Sequence, residues 1–285
     1  MITLIWVLLI LMAVAFSIYL TKDFLSHHNQ LEESNWVKVG LIGFVVNFFD
    51  VLGIGAFAPQ TALLKFTRQT RDKLIPGTMN IANTIPVLLQ AIIFIRVIEV
   101  EPMTLTIMLI TATLGAIGGA GIISKFSEKN IRLTMGFALL VTVGFMIARL
   151  LGIIHGDGSA IGLTGSKLFI AGSVNFILGA LMTAGIGLYA PCMALVFMLG
   201  MSPQVAFPIM MGSCAFLMPP ASFKFIQTAS YNRKAAVGMA IPGSIAVLIA
   251  AFIVKSLPLD TLRVVVIVVI IYTSFIMLRD GFKKK

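Results

Sequence analysis

The chain is 285 residues long, 59% hydrophobic and 11% charged, with a mean hydropathy of +1.03. No soluble globular domain needs that much apolar surface, so the composition predicts an all-α, polytopic membrane protein. The formal net charge of +10 sits in short basic groups between apolar runs, the pattern that sets membrane orientation, so the expected surroundings are membrane lipid and no nucleic acid.

In chain order, apolar segments fall at 2–20, 38–66, 76–98, 103–124, 133–154, 168–200, 204–223, 236–255 and 261–278. Segment 2–20 resembles a signal peptide, but no Lys or Arg precedes it and the run is long, so it reads as an uncleaved helix. Residues 1–36 thus form an N-terminal transmembrane helix and a cytoplasmic loop. A crossing helix needs about 20 residues. Segments 38–66 and 168–200 are too long for one crossing, and both carry the same phrase.

That phrase is "LGIGAFAP" at 52–59 and "AGIGLYAP" at 184–191. Gly53, Ile54, Gly55, Ala58 and Pro59 recur as Gly185, Ile186, Gly187, Ala190 and Pro191, all offset by 132 residues. Pro76 and Pro208 share the offset. The chain therefore divides into a first repeat, 37–155, and a second, 156–285, within one membrane domain. Glycine supplies unusual backbone angles and proline lacks the amide hydrogen a helix needs, so each phrase predicts a helix that breaks and restarts at Ala58 or Pro59, and again near Pro191.

Lys and Arg positions bear on how the long segments sit. If every segment crosses once, the two sides hold twelve and nine basic residues. If 38–66 and 168–200 are re-entrant hairpins, the cytoplasmic side holds sixteen and the other side five, namely Arg96, Arg149, Lys167, Lys255 and Arg263. The second split is what the positive-inside rule expects. It implies seven crossings, an outer N-terminus, a cytoplasmic C-terminus, and two repeats of opposite orientation, each a hairpin followed by three transmembrane helices. Broken full crossings remain the alternative, because 38–52 is long for a half-membrane arm.

Inverted repeats with broken helices at the midplane are the plan of many secondary transporters. Helices restarting at Pro59 and Pro191 would aim free amides and positive dipole ends at a central cavity, an anion site without a buried Lys or Arg. Gly53, Gly55, Gly185 and Gly187 let the backbone approach a ligand, and Gln60, Thr61 and Cys192 lie in the first turns after the breaks. Asn80 and Asn83 lie just after Pro76, one turn apart, and Ser213 and Cys214 lie in the matching stretch of the second half. Glycine serving only close helix packing, Asn tying helices together and buried Cys192 and Cys214 acting as small hydrophobes are the plainer readings. Asp50 precedes Gly53 by three residues and its counterpart is Met182, so it is the candidate for proton coupling, with a hydrogen-bonded structural acid as the plain reading. Asn47 lies one turn before it.

Two halves, each opening with a Gly-rich helix that restarts at a Pro, resemble the TauE/SafE family of sulfite and organosulfur exporters. The carriers are "GIGAFAP" and "GIGLYAPCMALVFMLGMSPQVAF", where Ser202 and Pro203 stand at the short link into the next helix. Members usually show more glycine where Ala56 and Leu188 stand here. The resemblance implies export of a small sulfur oxyanion or sulfonate across the inner membrane. The expected activity is secondary transport of a small anion by alternating access, with no cofactor, no metal and no enzyme chemistry. A passive anion channel, and more distantly an intramembrane enzyme or assembly factor, are the rivals, and a homo-oligomer stays open. His27, His28 and His155 are the only histidines, and no His-Glu-x-x-His, Gly-x-Ser-x-Gly or Gly-x-x-x-x-Gly-Lys phrase occurs.

Overall fold

The computed structural model describes residues 2–153, 158–185, 187–253 and 259–283. His155, Asp157, Ile186, Lys255, Lys284 and Lys285 lie outside the described residues, as do the side chains of Arg96, Arg149, Asp260 and Arg263. The helices are α1 (Ile2–Ser26), α2 (Trp36–Asp50), α3 (Phe57–Phe66), α4 (Ile75–Val97), α5 (Pro102–Ile123), α6 (Glu128–Leu150), α7 (Gly165–Met182), α8 (Tyr189–Met198), α9 (Ala206–Gln227), α10 (Arg233–Ile253) and α11 (Leu259–Phe282). Among the described residues the only β pairing is one bridge, Ala160 to Met201. Six helices (α1, α4, α5, α7, α9 and α10) are long and apolar enough to cross a bilayer, so the chain is a multi-pass helical membrane protein. α6 and α11 have 23 and 24 residues and lie along each other.

Segments 38–66 and 168–200 each fold as a helical hairpin whose two ends lie together. At the base of α2 and α3, the Asn35 amide donates to Gln69 Oε1 at 2.8 Å and Ser34 Oγ donates to the Gln69 carbonyl at 2.7 Å. The Asn35 side chain caps α2, accepting from the Val37 and Lys38 amides. At the base of α7 and α8, Lys167 Nζ donates to the Leu199 carbonyl at 3.1 Å. α7 alone has the 18 residues of a short crossing, yet the chain turns back in α8 to the end it started from.

These bases lie at opposite ends of the bundle. The first joins the loops before α2, after α3 and before α10, where Asn232 Nδ2 donates to Ser34 Oγ at 3.0 Å. The second joins the loop before α7 to the start of α5, where the Glu101 amide donates to the Ile161 carbonyl at 2.9 Å and the Leu163 amide to Thr104 Oγ1 at 2.8 Å.

The packing exchanges partners between the halves. α2 lies along α10 and α7 along α5, α4 packs on α9 at the centre, and α3 touches α11 as α8 touches α6. α4 and α9 are the enclosed pair, 72% and 78% buried, whereas α1 is 17% buried and leans on α4 from outside. In lipid, helices associate by close packing rather than by expelling water. A Cβ on Gly43 would fall 2.4 Å from the Met239 carbonyl oxygen, and one on Gly179 would fall 2.1 Å from that of Ala112. Both hairpins therefore meet their partner helix backbone to backbone.

Candidate functional site

The hairpins break where the repeated phrase stands. α2 ends at Asp50 and α7 at Met182; the Gly53 amide then donates to the Asp50 carbonyl, and the Gly185 amide to the Met182 carbonyl, each at 2.9 Å. Both turns need a left-handed residue, with φ of 79° at Gly53 and 96° at Gly185. The chain then restarts at Phe57 and Tyr189, again 132 residues apart. This corrects the expected starts: Pro59 and Pro191 are the third residues of α3 and α8. A proline is tolerated there because the first turn has orphan amides in any case. Ala56 and Leu188, at the caps, supply no side-chain acceptor, so the amides of Phe57, Ala58, Tyr189 and Ala190 have no partner within their helices.

The two tips face each other. A Cβ on Gly55 would lie 3.8 Å from Cβ of Tyr189, and one on Gly187 would lie 3.7 Å from Cβ of Phe57. Between them is a chamber lined by Asp50, Gly55, Ala56, Phe57 and Val87 from the first half and by Met182, Gly187, Leu188, Tyr189 and Cys214 from the second. It offers about 10 Å³ to the centre of a water-sized sphere, the space of a single water. No Lys or Arg lines it.

Asp50 is 2% exposed and enters a chain that ties the hairpins together. Gln90 Nε2, from α4, donates to Asp50 Oδ2 at 2.7 Å, and the Tyr189 hydroxyl donates to Gln90 Oε1 at 2.9 Å. The Ala56 backbone amide faces the same carboxyl. One amide side chain thus reads both tips, donating to one and accepting from the other.

Compared with protein-family models, with curated proteins and with solved structures, the chain finds no match in any of the three.

Of the expected site residues, Asp50, Gly55, Gly187 and Cys214 line the chamber. Cys214 Sγ lies 3.6 Å from Met182 Sδ. Gln60 and Asn83 form a separate buried chain: Asn47 Nδ2 donates to Asn83 Oδ1 at 3.1 Å, Asn83 Nδ2 to Gln60 Oε1, and Gln60 Nε2 to Met239 Sδ at 3.1 Å. Thr61 bonds the Phe57 carbonyl at 2.8 Å and Met79 Sδ at 3.1 Å. Asn80 Nδ2 donates to the Pro76 carbonyl of its own helix at 2.8 Å. Ser213 accepts from Asn175 of α7 at 3.1 Å. Gly53 and Gly185 lie back from the tips, against Phe207 and Met193 for the former and Met135 and Met79 for the latter. Cys192 is fully buried, its amide closing the first turn of α8 onto Leu188.

Gln90 and Tyr189 were absent from the expected set. Gln90 carries one available signal: it is a lone amide in an apolar run, two helical turns beyond Asn83 and so near the same face. Tyr189 is the polar counterpart of Phe57 within the repeated phrase.

Proposed function

We propose that the chain is a secondary transporter of a small anion, of the sulfite or organosulfonate kind, built from two inverted repeats around re-entrant hairpins. The observation that carries this reading is the meeting of two broken-helix tips, from opposite ends of the bundle, at one closed chamber. The exchange of packing partners supports an inverted pair, since swapping the halves reproduces the arrangement. The reading places the first base in the cytoplasm, because sixteen basic and six acidic residues fall on that side by chain position, against five and four on the other. The N-terminus is then outside and the C-terminus in the cytoplasm of the inner membrane. The resemblance to the TauE/SafE family supplies the substrate class.

The electrostatics favour coupling to protons. Unpaired amides and positive dipole ends of α3 and α8 attract an anion, while an ionised Asp50 at the same chamber repels it. Anion and proton therefore bind together, and each strengthens the other's hold. The chamber is closed, and an anion needs more room than one water, so the hairpins part from one side or the other to admit it. A passive channel is disfavoured by that closure.

The test is flux into proteoliposomes of purified protein, with sulfite, sulfate, thiosulfate, sulfoacetate, taurine and simple carboxylates offered in turn, with and without a pH gradient. The reading requires that at least one sulfur-containing anion accumulates against its gradient. Downhill movement alone, unaltered by the pH gradient, favours the channel, and no flux of any anion removes the reading.

A further inference from the structure

Hairpin α2–α3 ends in a turn that its counterpart builds differently. After α3, the Arg68 amide bonds the Lys65 carbonyl and the Gln69 amide bonds the Leu64 carbonyl. After α8, the Gly200 amide bonds the Phe197 carbonyl and the Met201 amide bonds the Val196 carbonyl, the same closure 132 residues on. Such a helix end needs a left-handed residue, for which glycine is suited. The second hairpin uses Gly200, at φ 85°, whereas the first uses Arg68, at φ 52°. An L side chain in this region costs about 1–2 kcal/mol, and Ala229 at φ 48° bears the same cost after α9, so the turn by itself assigns Arg68 no role.

The surroundings show a use. Arg68 and Thr70 line a recess of about 380 Å³ together with Lys65, Phe66, Asp72, Ile276, Arg279 and Asp280. They also line a second recess of about 530 Å³ with Glu32, Glu33, Arg71 and Asn232, whose two carboxylates make it less suited to an anion than the first. Thr70 Oγ1 is buried in this wall without a hydrogen-bond partner. Lys65 is held by Asp72 and Asp280, and Arg132 by Asp72 and Glu128. Among the described residues no carboxylate lies within salt-bridge distance of Arg68. Beside the first recess, the rings of Phe66 and Tyr272 stack at 5.4 Å and are exposed on α3 and α11. Tyrosine is enriched at headgroup depth, and basic recesses between transmembrane helices suit lipid phosphates.

We propose that this recess is a second binding site, which takes the phosphate headgroup of an anionic lipid, with Arg68 as the recognising residue and Arg279 and the Thr70 hydroxyl beside it. A lipid held there bridges the base of the first hairpin to α11. With the first base in the cytoplasm, as proposed above, the lipid belongs to the inner leaflet; the site itself does not rest on the transport reading.

The test uses the full chain in nanodiscs of phosphatidylcholine, with and without phosphatidylglycerol, read by thermal unfolding and by native mass spectrometry of retained lipid. Wild type should gain Tm with phosphatidylglycerol and retain it. Arg68→Gly and Arg279→Gln should each weaken that response roughly fivefold in apparent lipid affinity. Arg68→Gly should also raise Tm in phosphatidylcholine alone, since glycine suits the turn, so its loss of lipid response is not a folding defect. An equal phosphatidylglycerol response in wild type and both variants overturns the site. Reproduction of the whole shift by millimolar inorganic phosphate in phosphatidylcholine discs overturns the lipid and leaves a free oxyanion. Failure of either test leaves the transport reading untouched, because the flux assay there does not depend on Arg68.

Discussion

The two hairpins share a backbone and differ in chemistry. Both end their first helix three residues before a left-handed Gly, restart at an aromatic residue, place a Pro third in the new helix and point a second Gly at the other tip. Yet Asp50 faces Met182, Gln60 corresponds to Cys192, Thr61 to Met193 and Arg68 to Gly200. The first hairpin carries the Asp50 carboxyl and buried amides bonded to α4 and α10, whereas the second carries the Tyr189 hydroxyl bonded to α4 and the Asn175 amide bonded to α5 and α9, and no carboxylate in its sequence. What the two hairpins share is what the backbone needs: a break, a close approach and amides at a helix start. The side chains that titrate or hydrogen bond differ. An anion drawn to both helix starts would therefore meet a proton on one side only, and coupling would be carried by the first hairpin while the second acts as its counterpart in shape.

The comparison can be broken most plainly by sidedness. In a background lacking Cys192 and Cys214, Arg71→Cys beside the first base should label only from the cytoplasm, and Lys167→Cys at the second base only from outside. Both positions are exposed. Labelling of both from one side would end the inverted arrangement.

Next in size is the link between tips. Gln90→Leu would leave the Asp50 carboxyl and the Tyr189 hydroxyl without their shared partner, at about 1–3 kcal/mol for each buried group. Thermal unfolding in detergent should show the loss, and rescue by Gln90→Asn is not expected because the shorter amide cannot reach both. The tip glycine of the first hairpin comes next. Gly55 has φ 90°. Gly55→Ala should cost about 1–2 kcal/mol through backbone strain alone, since its Cβ would meet Tyr189 at an ordinary 3.8 Å. An unchanged thermal unfolding midpoint would mean that the tip accepts an L side chain without strain. Smallest is Tyr189→Phe, which keeps the ring and removes one hydrogen bond, for about 0.6 kcal/mol in a membrane bundle. It should make the second hairpin resemble the first at the position of Phe57.

Much of this architecture was legible because it is written in backbone requirements. A glycine-rich phrase followed by proline in an apolar run states a helix break wherever it stands, and the offset of 132 linked the two before any contact was known. The phrase puts the first restart at Ala58 or Pro59, one or two residues after Phe57, because proline marks a first turn without saying which of its positions it fills. Side-chain partners were less legible. Asn83 shares a segment with the chamber residues, yet its amide turns to Asn47 and Gln60; Asn80 turns back to its own helix. Helical spacing states which face a residue occupies, and which neighbour that face meets is decided by packing between helices far apart in sequence. Gln90 and Tyr189, 99 residues apart, meet for that reason alone.

The central claim is that anion and proton cross together through the Asp50 side of the chamber. It is tested most directly by recording internal pH in proteoliposomes while an inward gradient of a sulfonate is imposed with no initial pH gradient. A sulfonate carries no titrating proton of its own, so any proton movement is the protein's. The account predicts acidification of the lumen with wild type and none with Asp50→Asn, which should still bind the anion. Sulfonate entry through wild type without acidification, or equal acidification by the Asn variant, would contradict it.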